Sequence, residues 1–306
     1  MSITYRIGTR DSQLALWQAT RIQHLLKKSG VEAVLVPVKS EGDLDLTTPL
    51  YAMGVQGIFT RSLDQALLNN QIDLAVHSMK DVPVQLPRGI VEAAIPERDS
   101  PYDLLVPRLP FENDFLDHHS PARIASSSLR RKSQWLHRFP EDIVDPIRGN
   151  VNTRLKKLSE SNWNAAIFAA AGLERIGVRP QIAVELSWML PAPAQGALLV
   201  LCREHDEPLL KACAKLHDER TAFCTHIERD FLSALLGGCS TPVGALAEIE
   251  NEELYFQGNL TGTDGKNQVF IEKRISLELA ASLGTSAAHE LLENGGHTLL
   301  EEIKNG

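Results

Sequence analysis

The stretch ITYRIGTRDSQLALWQATRIQHLLKKSGVEAVLVPV, residues 3–38, decides the fold class. Residues 3–8 are a short run of strand type, and residues 13–28 place apolar side chains at helical spacing. Gly30 supplies a helix stop, and residues 32–38 return to strand character. A second helical pattern at residues 61–69 leads into the apolar run 72–77. Strand, helix and strand in alternation form βαβ units, which predict a mainly parallel sheet in this part of the chain.

Between the first strand and its helix stand Thr9-Arg10-Asp11-Ser12. Two later segments have the same character. Ser126-Ser127-Ser128-Leu129-Arg130-Arg131 follows the apolar run 122–125, and Arg148-Gly149-Asn150-Val151-Asn152-Thr153-Arg154 follows the run 143–147. Each lies where a strand gives way to an amphipathic helix, hence at the carboxyl edge of a sheet, where open α/β sheets take their ligands. A helix start offers unpaired N–H groups and partial positive charge, and guanidinium forks grip carboxylates or phosphates at two points. Serines also cap helices and exposed arginines also solubilise, but three junctions of one kind point to a ligand with several negative groups.

The chain as a whole is acidic, with a formal charge of −8, which argues against a broad nucleic-acid interface or an anionic membrane surface and assigns the local positive charge to a small anion. No apolar stretch approaches the roughly 20 residues that span a bilayer. The first nine residues lack the regions of a signal peptide, so a cytoplasmic location is expected. Cys202, Cys213, Cys224 and Cys239 form no C-x-x-C pair and have no histidine at metal spacing, so no metal site is expected and the thiols should be free. The first three lie in regular elements and read as buried; Cys239 does not.

Residues 43–57, with Thr47-Thr48-Pro49 and two glycines, read as a long loop of lid type. Glu97-Arg98-Asp99-Ser100-Pro101 breaks the first pattern, and a second α/β block runs from about Tyr102 to Leu190, with helices at 130–138 and 153–160 and a strand at 165–169. The Pro-rich segment from Leu190 to Gly196 marks a return crossing, after which residues 197–202 resume as a strand. Two α/β blocks joined by two crossings make a cleft with a hinge. From near His217 a helix carries Phe223, Ile227, Phe231 and Leu235 and stops at Gly237-Gly238. Strands near 244–250, 254–260 and 268–279, turns at Asn251-Glu252 and Asp264-Gly265, and a helix at 285–293 complete a small α+β unit with a largely antiparallel sheet.

Two segments are candidates for chemistry. His77-Ser78-Met79-Lys80-Asp81-Val82-Pro83 ends an apolar strand and sets a cation and an anion at the cleft edge. If the extended backbone persists there, Lys80 and Asp81 point to opposite faces. The carboxylate could stabilise a developing positive charge or trade a proton, although such a pair also occurs as plain solvated surface. Gly237-Gly238-Cys239-Ser240-Thr241-Pro242 reads either as an accessible thiol in an open loop or as a glycine-capped helix end.

Arg10-Asp11-Ser12 with Leu14 to Ala19, His77 to Val84, Ser127 to Arg131, Arg148 to Leu155, Ala170-Ala171-Gly172-Leu173, Gln195-Gly196-Ala197 and Gly237 to Pro242 together closely resemble the porphobilinogen deaminase (hydroxymethylbilane synthase) family, in order and over nearly the whole chain. The resemblance implies two α/β domains similar to the lobes of a periplasmic binding protein, flanking a cleft, plus a small α+β C-terminal domain. The expected boundaries are 1–98 with 197–216, then 102–193, then 217–306.

It further implies a monomeric transferase of tetrapyrrole biosynthesis. Such an enzyme deaminates four porphobilinogen molecules, joins them head to tail on a dipyrromethane cofactor held by Cys239 through a thioether, and releases hydroxymethylbilane by hydrolysis. Asp81 and Lys80 are then catalytic. Ser12, Lys80, Ser128, Arg130 and Arg131 bind the cofactor, and Arg10, Arg148, Arg154, Arg175 and Gln195 bind substrate. The acetate and propionate of each ring account for so many cations. Departures from the family pattern are Glu41, Ala52 and Gln56 in and beside the loop, and Ala194 in place of a glycine. A competing class, a two-lobed binding protein for small anions, shares the cleft but has no use for Cys239 or a third domain.

Overall fold

In a computed structural model of the chain, residues 3–39, 60–109, 121–235 and 241–305 are described. The loop at 43–57, with Ala52, Gln56 and the neighbouring Glu41, lies outside them, as do Gly237, Gly238 and Cys239.

In chain order the first block holds β1 (Thr4–Thr9), α1 (Gln13–Lys28), β2 (Glu32–Pro37), α2 (Arg61–Leu68), β3 (Leu74–Ser78) and β4 (Ile90–Ala94). The second holds β5 (Asp103–Pro107), β6 (Arg123–Ala125), α3 (Leu129–Arg138), β7 (Ile143–Asp145), α4 (Val151–Glu160), β8 (Ala165–Ala169), α5 (Ala170–Glu174) and β9 (Val184–Glu185). Next come β10 (Leu198–Arg203), α6 (Glu207–Cys213) and α7 (Glu219–Ala234). The last part is β11 (Val243–Glu250), β12 (Glu253–Thr261), β13 (Gln268–Ser276), α8 (Leu283–Leu291) and α9 (His297–Asn305).

Three sheets result. The first has the order β2-β1-β3-β10-β4, in which β1 runs parallel to β2 and β3 as the βαβ pattern requires. It is mainly parallel with one reversed strand: β10, returning from the second crossing, pairs antiparallel with both β3 and β4, so β4 again runs in the direction of β1, β2 and β3. An apolar run such as Leu198 to Cys202 records burial on both faces but not chain direction. Helix α1 starts at Ser12, whose hydroxyl accepts from Ala15 N (3.3 Å), and ends before Gly30 at φ +81°. Its buried stripe of Ala19, Ile22 and Leu26 packs with Ile7, Leu74, Val76 and Val200.

The second sheet, β7-β6-β8-β5-β9, likewise has one reversed strand, with β6 parallel to β7 and β8 and with β5 antiparallel to β8 and β9. The third, β11-β12-β13, is antiparallel throughout, as expected. Asn251 and Glu252 both have positive φ (47° and 66°), the geometry of a two-residue hairpin turn that matches strand twist. Helix α7 buries Ile227 and Phe231 against this sheet, together with Leu235 just past its end, and Phe231 meets Phe256 at 5.2 Å between ring centroids. Gly258 is obligatory at that contact, since a Cβ there would lie 2.6 Å from the Phe231 ring.

The two crossings run side by side. Asp99 N donates to Gly196 O (3.2 Å), and Arg98 Nε donates to Gln195 O (2.8 Å). Gly196 has φ +89°, and a Cβ there would meet Asp99 O at 2.5 Å, so only glycine closes this approach.

Candidate active site

Three helix starts form the frame of the site. Ser12 caps α1, Ser128 Oγ caps α3 by accepting from Arg131 N (3.4 Å), and Asn150 Oδ1 caps α4 by accepting from Thr153 N (2.9 Å). Each follows a strand, so all three lie at carboxyl edges, as the junction sequences predict. The edges of the two larger sheets face each other, because Asn152 Nδ2 in the first turn of α4 donates to Gln13 Oε1 in the first turn of α1 (2.7 Å). Ser127 ties the two junctions of the second sheet together by donating to Ile147 O (2.6 Å) and accepting from Ile147 N (2.8 Å).

Cations crowd this gap. Arg10 and Arg148 are half-buried at their junctions. Arg154, also half-buried, donates through Nε to Gly149 O (2.7 Å). Its pKa is pulled down to about 10, first by burial and then by the charges of Arg131 and Arg148, while Asp81 acts in the opposite sense. Arg131, Arg148, Arg154 and Asp81 therefore share one electrostatic environment. A bound anion would relieve the repulsion among the three arginines. Beside Arg10, burial and the arginine charge push His77 down to about 4, and its buried Nε2 has no hydrogen-bond partner.

Lys80 and Asp81 do not follow the extended path considered from sequence. Met79–Asp81 form a single 3₁₀ turn, with Val82 N donating to Met79 O (3.2 Å). Asp81 is exposed, whereas Lys80 is half-buried and its Nζ donates to Gln195 Oε1 (3.1 Å). Burial, opposed by Asp81, draws the Lys80 pKa down to about 8.

Gln195 passes the contact on, its Nε2 donating to Pro101 O (2.7 Å) and Asp103 Oδ1 (2.8 Å). Asp103, fully buried at the start of β5, receives Arg130 Nη2 on Oδ2 (2.8 Å) and Arg131 Nε and Nη2 on Oδ1 (3.1 and 2.8 Å). The two guanidinium groups hold its carboxyl well below the usual carboxylate range. Arg130 Nη1 also donates to Leu190 O and Arg131 Nη1 to Ile167 O. Both arginines thus hold an internal carboxylate, a use that the junction sequence does not reveal. Lys80, Arg130 and Arg131 around one Asp103 still leave a surplus of positive charge.

Arg175 is buried, and its guanidinium donates to Asp99 Oδ2 (2.7 Å) and Gly196 O (2.6 Å) at the crossings. Asp99 also receives Arg21 Nη1 (2.6 Å), and the Trp17 ring lies 5.7 Å from both guanidinium carbons. Glu228 on α7, fully buried, accepts from Arg98 Nη1 (2.7 Å), Ala194 N (2.6 Å) and Ala247 N (2.9 Å), joining both crossings to the third sheet. Sequence reasoning missed Asp99, Asp103 and Glu228. The one local sign was an acidic residue opening the otherwise apolar strand β5. Cys202, Cys213 and Cys224 are buried, and burial pushes their thiols up to about 11, 12 and 12.

Two mixed α/β sheets facing each other across an arginine-rich gap, with a small α+β unit fastened to their crossings, define a two-lobed α/β protein with an added third part. The chain belongs to the porphobilinogen deaminase family. The family model described as "Porphobilinogen deaminase, dipyromethane cofactor binding domain" matches residues 5–211, and that of the C-terminal domain matches residues 222–293. Porphobilinogen deaminase of Syntrophotalea carbinolica is 41% identical over 306 residues, covering 99% of this chain and 96% of the relative. That of Geotalea uraniireducens is 40% identical over 304 residues, covering 98% and 95%.

Among solved structures, the periplasmic VFT2 domain of Bordetella pertussis BvgS matches with a TM-score of 0.41 at 11% identity, covering 70% of this chain and 86% of that one. An ancestral cationic amino acid solute-binding protein matches with a TM-score of 0.43 at 16% identity, covering 70% and 88%. Among the described residues no helix is long and apolar enough to cross a membrane.

Proposed function

We propose that this chain catalyses the porphobilinogen deaminase reaction, joining four porphobilinogen molecules head to tail with loss of four ammonia molecules and releasing hydroxymethylbilane by hydrolysis. The observation that carries this reading is the gathering of Arg131, Arg148 and Arg154 beside Asp81, in which burial and then the charges of Arg131 and Arg148 pull Arg154 down to about 10 against the opposing charge of Asp81. That many partly desolvated cations fit a ligand with a carboxylate at every step of its length. The same surplus fits a dipyrromethane, whose acetate and propionate groups Lys80, Ser12, Ser128, Arg130 and Arg131 would hold, with Cys239 as its thioether anchor.

When bound, that group supplies the pyrrole carbon to which the first substrate unit is joined. Arg10, Arg148 and Arg154 orient the carboxylates of the incoming substrate, while Gln195, its amide committed to Lys80, Pro101 and Asp103, and Arg175, bound to Asp99 and Gly196, act on the substrate site by holding those groups in place. Arg130 and Arg131 contribute field as well as contacts, since three of the five N–H groups of Arg131 are committed to Asp103 and Ile167. Asp81, exposed at the edge of the gap, places a carboxylate where positive charge develops on the substrate pyrrole as ammonia departs. We extend the reading to a monomeric cytoplasmic enzyme of three domains, divided at residues 1–98 with 197–216, 102–193 and 217–306.

The reading is tested by incubating the purified protein with porphobilinogen and measuring ammonia against linear tetrapyrrole. Four ammonia molecules per tetrapyrrole are expected. Binding of porphobilinogen without ammonia release would overturn it.

A further inference from the structure

Helix α7 belongs to the third part of the chain, yet one of its side chains reaches the turn that carries Lys80 and Asp81. Arg229 is buried, and its Nη1 donates to the carbonyl oxygens of Met79 (3.2 Å) and Val82 (3.0 Å), while its Nη2 donates to that of Pro83 (2.8 Å). These carbonyls bracket Asp81. A planar guanidinium with fixed N–H directions holds both ends of a short turn in one register, which a flexible ammonium cannot do.

The other contacts of the turn act on the residues beside Asp81, Lys80 Nζ being held by Gln195 Oε1 (3.1 Å). Met79 N donates to Ala197 O (3.0 Å), and the Met79 and Val82 side chains enter the core of the first sheet. Among the described residues the Asp81 carboxylate accepts no hydrogen bond, so the backbone sets its place. The neighbours of Arg229 secure the helix itself. His226 Nε2 meets Glu92 Oε2 on β4 at 3.1 Å, and Glu228 takes Arg98 and Ala194 N from the two crossings. Consecutive parts of one helix thus grip β4, both crossings and the Asp81 turn, and the same helix leads along the chain toward Cys239.

We propose that Arg229 is a positioning residue for Asp81, holding the carboxylate in register with the substrate. The inference rests on the reading that Asp81 serves the chemical step. A carboxylate displaced by about an ångström costs on the order of a hundredfold in rate without weakening the grip on the rest of the substrate.

The test is a double-mutant cycle with Asp81→Asn on protein shown by intact mass to carry its covalent group, with melting temperatures recorded for every variant. Arg229→Gln should lower kcat by on the order of a hundredfold and move KM by less than about threefold. Arg229→Lys, which keeps the charge and stem and serves if the glutamine variant does not fold, should recover part of the loss. In the Asp81→Asn background the same substitutions should add little, because the group being positioned has lost its charge. Wild-type kcat in a folded Arg229 variant, or an equal fold loss with and without Asp81, would overturn the proposal. Near-normal turnover in Asp81→Asn alone would instead overturn the underlying role of Asp81.

Discussion

Lys80 Nζ meets Gln195 Oε1 at 3.1 Å, and through that one amide the turn after β3 is joined to the return crossing and on to Asp103 in the second sheet. The cationic end of the Lys80–Asp81 pair is therefore placed by groups from both lobes, while Asp81 is left facing the gap.

Lys80 should give the site a pH limit. Its pKa is about 8 in the folded chain against 10.5 for an ordinary lysine, so the cation offered to a carboxylate fades as pH rises through about 8. kcat/KM for porphobilinogen should fall on the alkaline side with that midpoint, and the limb should vanish in Lys80→Arg. The stability effect has the opposite sense. Between about pH 8 and 10.5 the unfolded chain binds the extra proton, so the penalty for burying the charged lysine is relieved as pH rises through that window. Urea titrations of wild type and Lys80→Met across it should converge toward high pH.

Asp81 and Asp103 should behave as opposites. Asp81→Asn removes charge from an exposed side chain, so turnover should drop by about a hundredfold or more, the scale of one lost electrostatic stabiliser, with an unchanged melting temperature. Asp103→Asn leaves the buried Arg130 and Arg131 without their counter-ion and should cost about 3–5 kcal/mol of stability by denaturant titration. If Asp103→Asn were as stable as wild type, the two arginines would not be held as described.

Ala194 carries the strain in the return crossing, with φ +60° at a non-glycine residue whose N–H is committed to Glu228. Ala194→Gly should leave that hydrogen bond intact and relieve up to about 1 kcal/mol of left-handed strain, partly offset by the entropy of the added glycine. A higher melting temperature is expected. A loss above about 1 kcal/mol would mean that the methyl group packs more than it strains.

Local pattern carries much of this fold. The apolar spacing of α1 and α7, the Ser12 and Ser128 caps, the Asn251-Glu252 hairpin and the three basic junctions are each written in neighbouring residues. Strand direction is not, which is why the reversal of β10 within an otherwise parallel first sheet goes unread. Nor are long-range pairings. Arg130 and Arg131 look alike as binding groups until Asp103, 27 and 28 residues away, takes their forks, and Arg229 reads as an ordinary helix charge until it meets carbonyls some 150 residues earlier. In each case the partner is chosen by packing between elements, which residue spacing does not encode. Cys239 and the loop at 43–57 lie outside the described residues, so their part in the site rests on sequence alone.

The central claim is a tethered chain that grows in the gap, and intact mass spectrometry of the purified protein tests it most directly. The wild-type protein should weigh more than its sequence by two linked pyrrole units, and porphobilinogen should add a ladder of covalent species spaced by one deaminated pyrrole each. Peptide mapping should place the adduct on Cys239, and Cys239→Ser should show neither adduct nor ladder. The bare sequence mass after expression in porphobilinogen-making cells, with no ladder on adding substrate, would contradict the account and favour a reversible anion-binding protein.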